Sequence, residues 1–189
     1  MIRQATSTVR DTSSASAEET APSLVLARYG AIPVVARFDI GECEVTRGQQ
    51  LVVETDRGEE LAEVLEFIPT HLSSNADSAG RVLRVATADD RSRAADASRA
   101  CEEAFEGWLR RCEEWKLQLE LVDIEQTLDE KLILYVLNDR GPETTRLALL
   151  AAAGGHGVIH VQPVNAEGVD PIKDSGGGCG SQGGCGCSH

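Results

Sequence analysis

Three cysteines and a histidine crowd the end of the chain, in the run Cys179-Gly-Ser-Gln-Gly-Gly-Cys185-Gly-Cys187-Ser-His189. Thiolates bind zinc, copper(I) or iron-sulfur clusters, and the intervening glycines let backbone wrap closely around an ion and present amides to the sulfurs. Cys179, Cys185 and Cys187 with His189 as a fourth ligand complete a four-donor set, although C-x5-C-x-C is the spacing of no common zinc module. The alternative is a glycine-rich end whose thiols do nothing.

The remaining reactive side chains read more blandly. Cys101 and Cys112 fall on an apolar stripe with Phe105, Trp108 and Trp115, where a thiol is expected to be packed and inert. Cys43 is uninformative. His156 and His160 are about 13 Å apart if both lie on one strand, which suits a turn residue and a strand residue better than a ligand pair. Glu59, Glu60, Glu63 and Glu66, or Asp123 and Glu125, could serve as acid and base, yet no partner nucleophile accompanies them and solvated faces are expected. No phosphate loop, dinucleotide fingerprint or nucleophile elbow is present, so no enzyme is expected. The arginines at 81, 84, 91, 93 and 99 form the one locally basic stretch, largely cancelled by Asp89, Asp90 and Asp96.

Composition narrows the class. The chain has 189 residues, 41% hydrophobic and only 4% aromatic, with a net charge of -13. Such acidity repels phosphate backbones and anionic lipid, which disfavours direct nucleic-acid binding and membrane contact. No apolar run approaches the roughly 20 residues a membrane helix needs, and Met1 to Pro22 lacks a signal-peptide core. Irregularly spaced cysteines suit a reducing, cytoplasmic setting. Arg3, Arg10, Asp11, Glu18 and Glu19 leave the first 22 residues at -1, while Glu167, Asp170, Lys173 and Asp174 leave the tail at -2, so the core carries -10.

Residues 1–22 hold eight Ser or Thr and almost no large apolar side chain, which predicts a disordered arm. Residues 23–70 then show short β-prone runs, Leu24 to Tyr29, Val34 to Phe38, Leu51 to Thr55 and Leu61 to Phe67, with Asp56-Arg57-Gly58 as a hairpin loop. That pattern predicts a small β-barrel-like sheet. Residues 71–80 read as a linker. From 81 to 164 the period alternates: strand Val82 to Ala86, a helix capped at Thr87 and running to about Lys116, strands Leu117 to Glu125 and Leu132 to Leu137, helix Glu143 to Ala153 behind Pro142, and strand Val158 to Val164. The order predicts a ferredoxin-like βαββαβ sandwich, for an α+β fold overall. Residues 165–189 make a flexible Gly/Cys-rich tail.

The runs GQQLVVETDRGEELAEV (48–64), VLRVATADD (82–90), AFE (104–106) and LQLELVDIEQTLDEKLILYVLNDRG (117–141) resemble the C-terminal domain of the polymerase-suppressor-protein family, whose bacterial members include the RicT or YaaT proteins. Gly48, Glu54, Thr55, Gly58, Glu60, Arg84, Thr87, Asp90, Leu121, Val122, Asp123 and Glu125 stand where the family pattern places such residues, over about residues 30 to 163. The resemblance implies a non-catalytic cytoplasmic adaptor that assembles with small helical partners, RicA and RicF, in a complex associated with iron-sulfur clusters. Through that complex it would modulate ribonuclease Y in mRNA maturation. Relatives carry a CGRxLCC motif after the last strand. Here Cys179, Cys185 and Cys187 follow a longer spacer and lack its arginine and its adjacent cysteine pair. A metal or iron-sulfur carrier, a redox sensor and a direct RNA-binding module are the alternative functions.

Overall fold

A computed structural model describes residues 24–69, 78–137, 141–166 and 168–169. The expected disordered arm at 1–22, most of the linker and the part of the expected tail that bears Cys179, Cys185, Cys187 and His189 lie outside the described residues, whereas at the start of that tail Asn165 and Gly168–Val169 are strand rather than flexible chain.

The first half is antiparallel strand chemistry. Strands β1 (Leu24–Tyr29), β2 (Val34–Asp39), β3 (Gln50–Glu54) and β4 (Glu59–Ile68) each send apolar side chains to a common interior, with alternation of buried and less buried residues clearest along β4. That interior holds Val25, Ala27, Phe38, Leu51, Val53 and Val64. With β5 (Gly80–Val85) the strands close into a barrel in the order β1-β2-β5-β3-β4.

Membership of β5 corrects the expected sandwich. A split βαβ needs a strand between its parallel pair, the place expected of Val82 to Ala86. Instead β5 pairs antiparallel with β3, Val82 opposite Val53, and Val82 is buried in the barrel core. Gly80 permits the pairing, because a Cβ there would sit 1.8 Å from the Glu54 carbonyl oxygen. The second sheet therefore runs β6-β7-β8-β9, from β6 (Glu120–Gln126), β7 (Leu132–Leu137), β8 (Ile159–Asn165) and β9 (Gly168–Val169). β7 and β8 pair directly and in parallel, so the sheet lacks the ferredoxin-like order.

Two helices cover one face of this sheet. α1 (Ala88–Glu114) opens on a capping box in which Thr87 accepts from the Asp90 amide and the Asp90 carboxylate accepts from the Thr87 amide. It ends at Trp115, and Lys116, in the left-handed region at φ 53°, turns the chain toward β6. Residues Leu117 to Leu119, expected as strand, instead lead into β6, where Leu117 and Leu119 pack against the core. α2 (Pro142–Ala153) begins at a proline and connects the parallel pair β7 and β8. Cys101, Trp108, Cys112, Leu134, Val136 and Leu147 fill the space between helices and sheet.

Candidate functional site

The barrel and the second sheet meet at a buried polar joint. Gly58, at φ 146°, closes the β3–β4 hairpin, and the same hairpin carries Arg57 inward to 4% exposure. The Arg57 guanidinium grips Glu60 with Nη2 on Oε1 and with Nε on Oε2, the latter at 3.2 Å. Thr55 Oγ1 donates to the same Glu60 Oε2 at 2.6 Å. Arg57 Nη1 donates to the hydroxyl of Tyr135 on β7 at 2.7 Å, and that hydroxyl donates to Glu125 Oε2 on β6 at 2.5 Å. The guanidinium also lies 5.1 Å from the ring centre of Tyr29 and 5.9 Å from that of Tyr135, close enough for cation-π attraction.

Burial sets the electrostatics of the joint. It is the largest influence on Glu60 and pushes that carboxyl above its ordinary value, against the pull of Arg57 and Thr55. Burial, the largest single influence, would lower Arg57, but the charges of Glu60 and Glu125, the Tyr135 hydroxyl and the hydrogen bond to Glu60 together outweigh it and hold the guanidinium more firmly protonated. The Tyr135 hydroxyl is raised by burial and by the Glu125 charge, so it stays a neutral donor.

A second contact locks the same hairpin. The Leu128 amide donates to the Glu59 carbonyl at 2.8 Å, and the Glu59 amide donates to Asp129 Oδ1 at 3.0 Å. Burial would raise the Asp129 carboxyl, yet hydrogen bonds from Lys131, Thr127 and the Glu59 amide together hold it at about 2. Beside these contacts a cleft of about 250 Å³ opens toward α1, with Glu60, Glu125, Leu61 and Leu128 in its lining.

The residues singled out by type fare unevenly. The solvated-face reading holds for Glu63 and Glu66, which pair with Arg28 and Arg47 at 2.6 and 3.1 Å. It fails for Glu60, only 3% exposed, because Arg57 accompanies it into the interior. The arginine stretch is bonded within the fold: Arg81 to Glu54, Arg84 to Asp90, Arg91 to the Ala86 carbonyl, Arg93 to the Leu128 carbonyl and Arg99 to Asp96. Cys101 and Cys112 are buried, and burial pushes both thiols up, which leaves them poor nucleophiles. Cys43 is half-buried near the Leu83 carbonyl. His156 packs against Trp108 with ring centres 4.9 Å apart and ring planes tilted by 54°, while His160 lies on β8.

Arg57 and Tyr135 are the joint's central residues, and neither stands out in sequence by type. The available signals are the three-residue spacing of Arg57 from Glu60 and a lone hydroxyl in the otherwise apolar run Leu132–Leu137. Of the residues that carry the family resemblance, Thr55, Glu60 and Glu125 come together here. Among the described residues, no group of three or more His, Cys, Asp or Glu is placed to hold a metal ion. No helix among them is long and apolar enough to cross a membrane.

The fold and site define a closed five-strand barrel whose buried ion pair, Arg57 with Glu60, is tied through the Tyr135 hydroxyl to a helix-covered mixed sheet. The chain matches no protein-family model, no curated protein and no solved structure with which it was compared.

Proposed function

We propose that the protein is a non-catalytic regulatory adaptor of the RicT type, acting in the cytoplasm. In this reading it assembles with small helical proteins like RicA and RicF and modulates a ribonuclease Y-like enzyme in mRNA maturation. The observation that supports it is the commitment of the buried charges to the joint. General acid-base work needs a group that can exchange its proton with a substrate. Here Arg57 and Thr55 occupy both oxygens of Glu60, and Tyr135 bridges Arg57 to Glu125. A body built this way holds a shape, and its net charge of -13 favours basic protein surfaces over RNA. The arginines at 81, 84, 91, 93 and 99, each bonded internally, weigh against the direct RNA-binding alternative.

The second reading, a metal or iron-sulfur carrier or redox sensor, rests on the donor set Cys179, Cys185, Cys187 and His189. It is compatible with the adaptor role, since a cluster at the tail would serve the assembly. Purification of the untagged protein from its native cell, with partner identification and metal analysis, tests both. The adaptor reading expects a stable assembly containing small helical proteins or a ribonuclease, and the carrier reading expects iron or zinc in stoichiometric amount. Turnover of a small-molecule substrate by the purified protein would overturn the adaptor reading.

A further inference from the structure

The cleft beside the joint is walled by Leu61, Ala94, Ile124 and Leu128, with the carboxylates of Glu60 and Glu125 in the same lining. Two acids alone would be no more than hydrated surface. Three observations make this a built site. Glu60 is 3% exposed and fixed by the Arg57 fork, so its charge is held in place before any ligand arrives. The joint sets one cation, Arg57, against two carboxylates, Glu60 and Glu125, so negative charge is in surplus there. No lysine, arginine or histidine among the described residues lines the cleft to balance it. The apolar walls match an aliphatic chain.

We propose that this cleft binds an organic cation, an ammonium or guanidinium group carried on a short aliphatic chain. Glu125 accepts from the cation directly, Glu60 adds its field, and Leu61 and Leu128 cover the chain. The cation can be a free amine or the lysine or arginine side chain of a partner, since both present the same chemistry. This goes beyond the adaptor reading and stands or falls separately from it, because co-purification is not its test.

Isothermal titration of the full chain at low ionic strength checks the proposal, with agmatine as the free cation and Nα-acetyl-arginine methylamide as the side-chain mimic. Saturable binding at one site is expected for at least one of them, and the preferred probe identifies the source. The corresponding citrulline amide, an uncharged isostere of the side-chain mimic, should not bind. Glu125→Gln, which keeps an acceptor for Tyr135, should weaken binding at least tenfold. Ser98→Leu, from an exposed position on α1 that lines the cleft, should do the same by occupying it without touching the joint, and it carries the test if the first variant fails to fold. Glu103→Gln, an exposed acid elsewhere on α1, should change nothing. Absence of saturable binding to either cation, equal binding of the citrulline amide, or affinities indifferent to Ser98→Leu would overturn the proposal.

Discussion

Replacing Arg57 by methionine isolates the joint. The substitution keeps an unbranched side chain of similar reach, so packing changes little, while Glu60 loses the guanidinium that meets both its oxygens. Removing one partner of a buried ion pair costs about 3–5 kcal/mol, because the other charge is left uncompensated. For a domain of this size each kcal/mol lowers the melting temperature by roughly 2–4 °C, so the variant should melt roughly 10 °C below the wild type. The pH dependence has a defined sign. Burial already raises Glu60 above its ordinary 4.5, and losing Arg57 removes the main opposing pull, so its folded-state value climbs further. A group raised in the folded state gives its full stability below its unfolded value and loses it as pH rises through the folded one. The deficit between variant and wild type should thus be largest near pH 8 and shrink toward pH 4.5. Thermal melts followed by circular dichroism at several pH values measure it, and the double variant Arg57→Met with Glu60→Met should regain much of the loss. A single variant that melts with the wild type at pH 8 would refute the claim that Arg57, paired with Glu60 and bonded to Tyr135, stabilises the joint.

Gly58→Ala should destabilise by about 2 kcal/mol in denaturant titration, since its φ of 146° strains an L side chain and the new Cβ would lie 2.4 Å from Asp129 Oδ1. Asp129 has its carboxyl lowered to about 2, so its share of stability is present above its unfolded value of 3.8 and is lost as pH falls through about 2. Asp129→Asn should accordingly flatten the acid limb of a stability-against-pH curve between those values. Thr87→Ala removes the side-chain acceptor for the Asp90 amide and should cost about 1 kcal/mol, read as a lower denaturation midpoint at unchanged slope. Changing Cys179, Cys185 and Cys187 together to Ser should abolish bound iron or zinc by elemental analysis while the melting temperature of the core stays fixed.

Local pattern carries the elements, and long-range pairing carries their arrangement. The stripe Cys101, Phe105, Trp108, Cys112 and Trp115 announces α1 because helix period and burial are both local. Strands β1 to β4 were legible for the same reason, with Gly58 marking the tight hairpin. Assignment of Val82 to Ala86 to the sandwich failed because a strand's own alternation does not name its partner. The deciding fact is the close approach of Gly80 to the Glu54 carbonyl, more than twenty residues away in the chain. Glu60 was hidden by a different mechanism. A carboxylate in an acidic run reads as solvated unless a cation follows it inward, and Arg57, placed in a turn, gives no local sign of burial.

That Arg57 is buried at all follows from three elements converging on it. The hairpin supplies Thr55 and Glu60, β7 supplies Tyr135, and β6 supplies Glu125, so the guanidinium's one hydrogen bond beyond the hairpin goes to the other sheet. An apolar contact between the two sheets would tolerate sliding, since burial is non-directional. Hydrogen bonds lose their strength with small changes of distance and angle, so the Arg57–Tyr135 bond and the Leu128–Glu59 backbone bond resist such sliding. β5 joins the barrel, and the β3–β4 hairpin is bonded to Tyr135 on β7 and to Asp129 in the turn between β6 and β7.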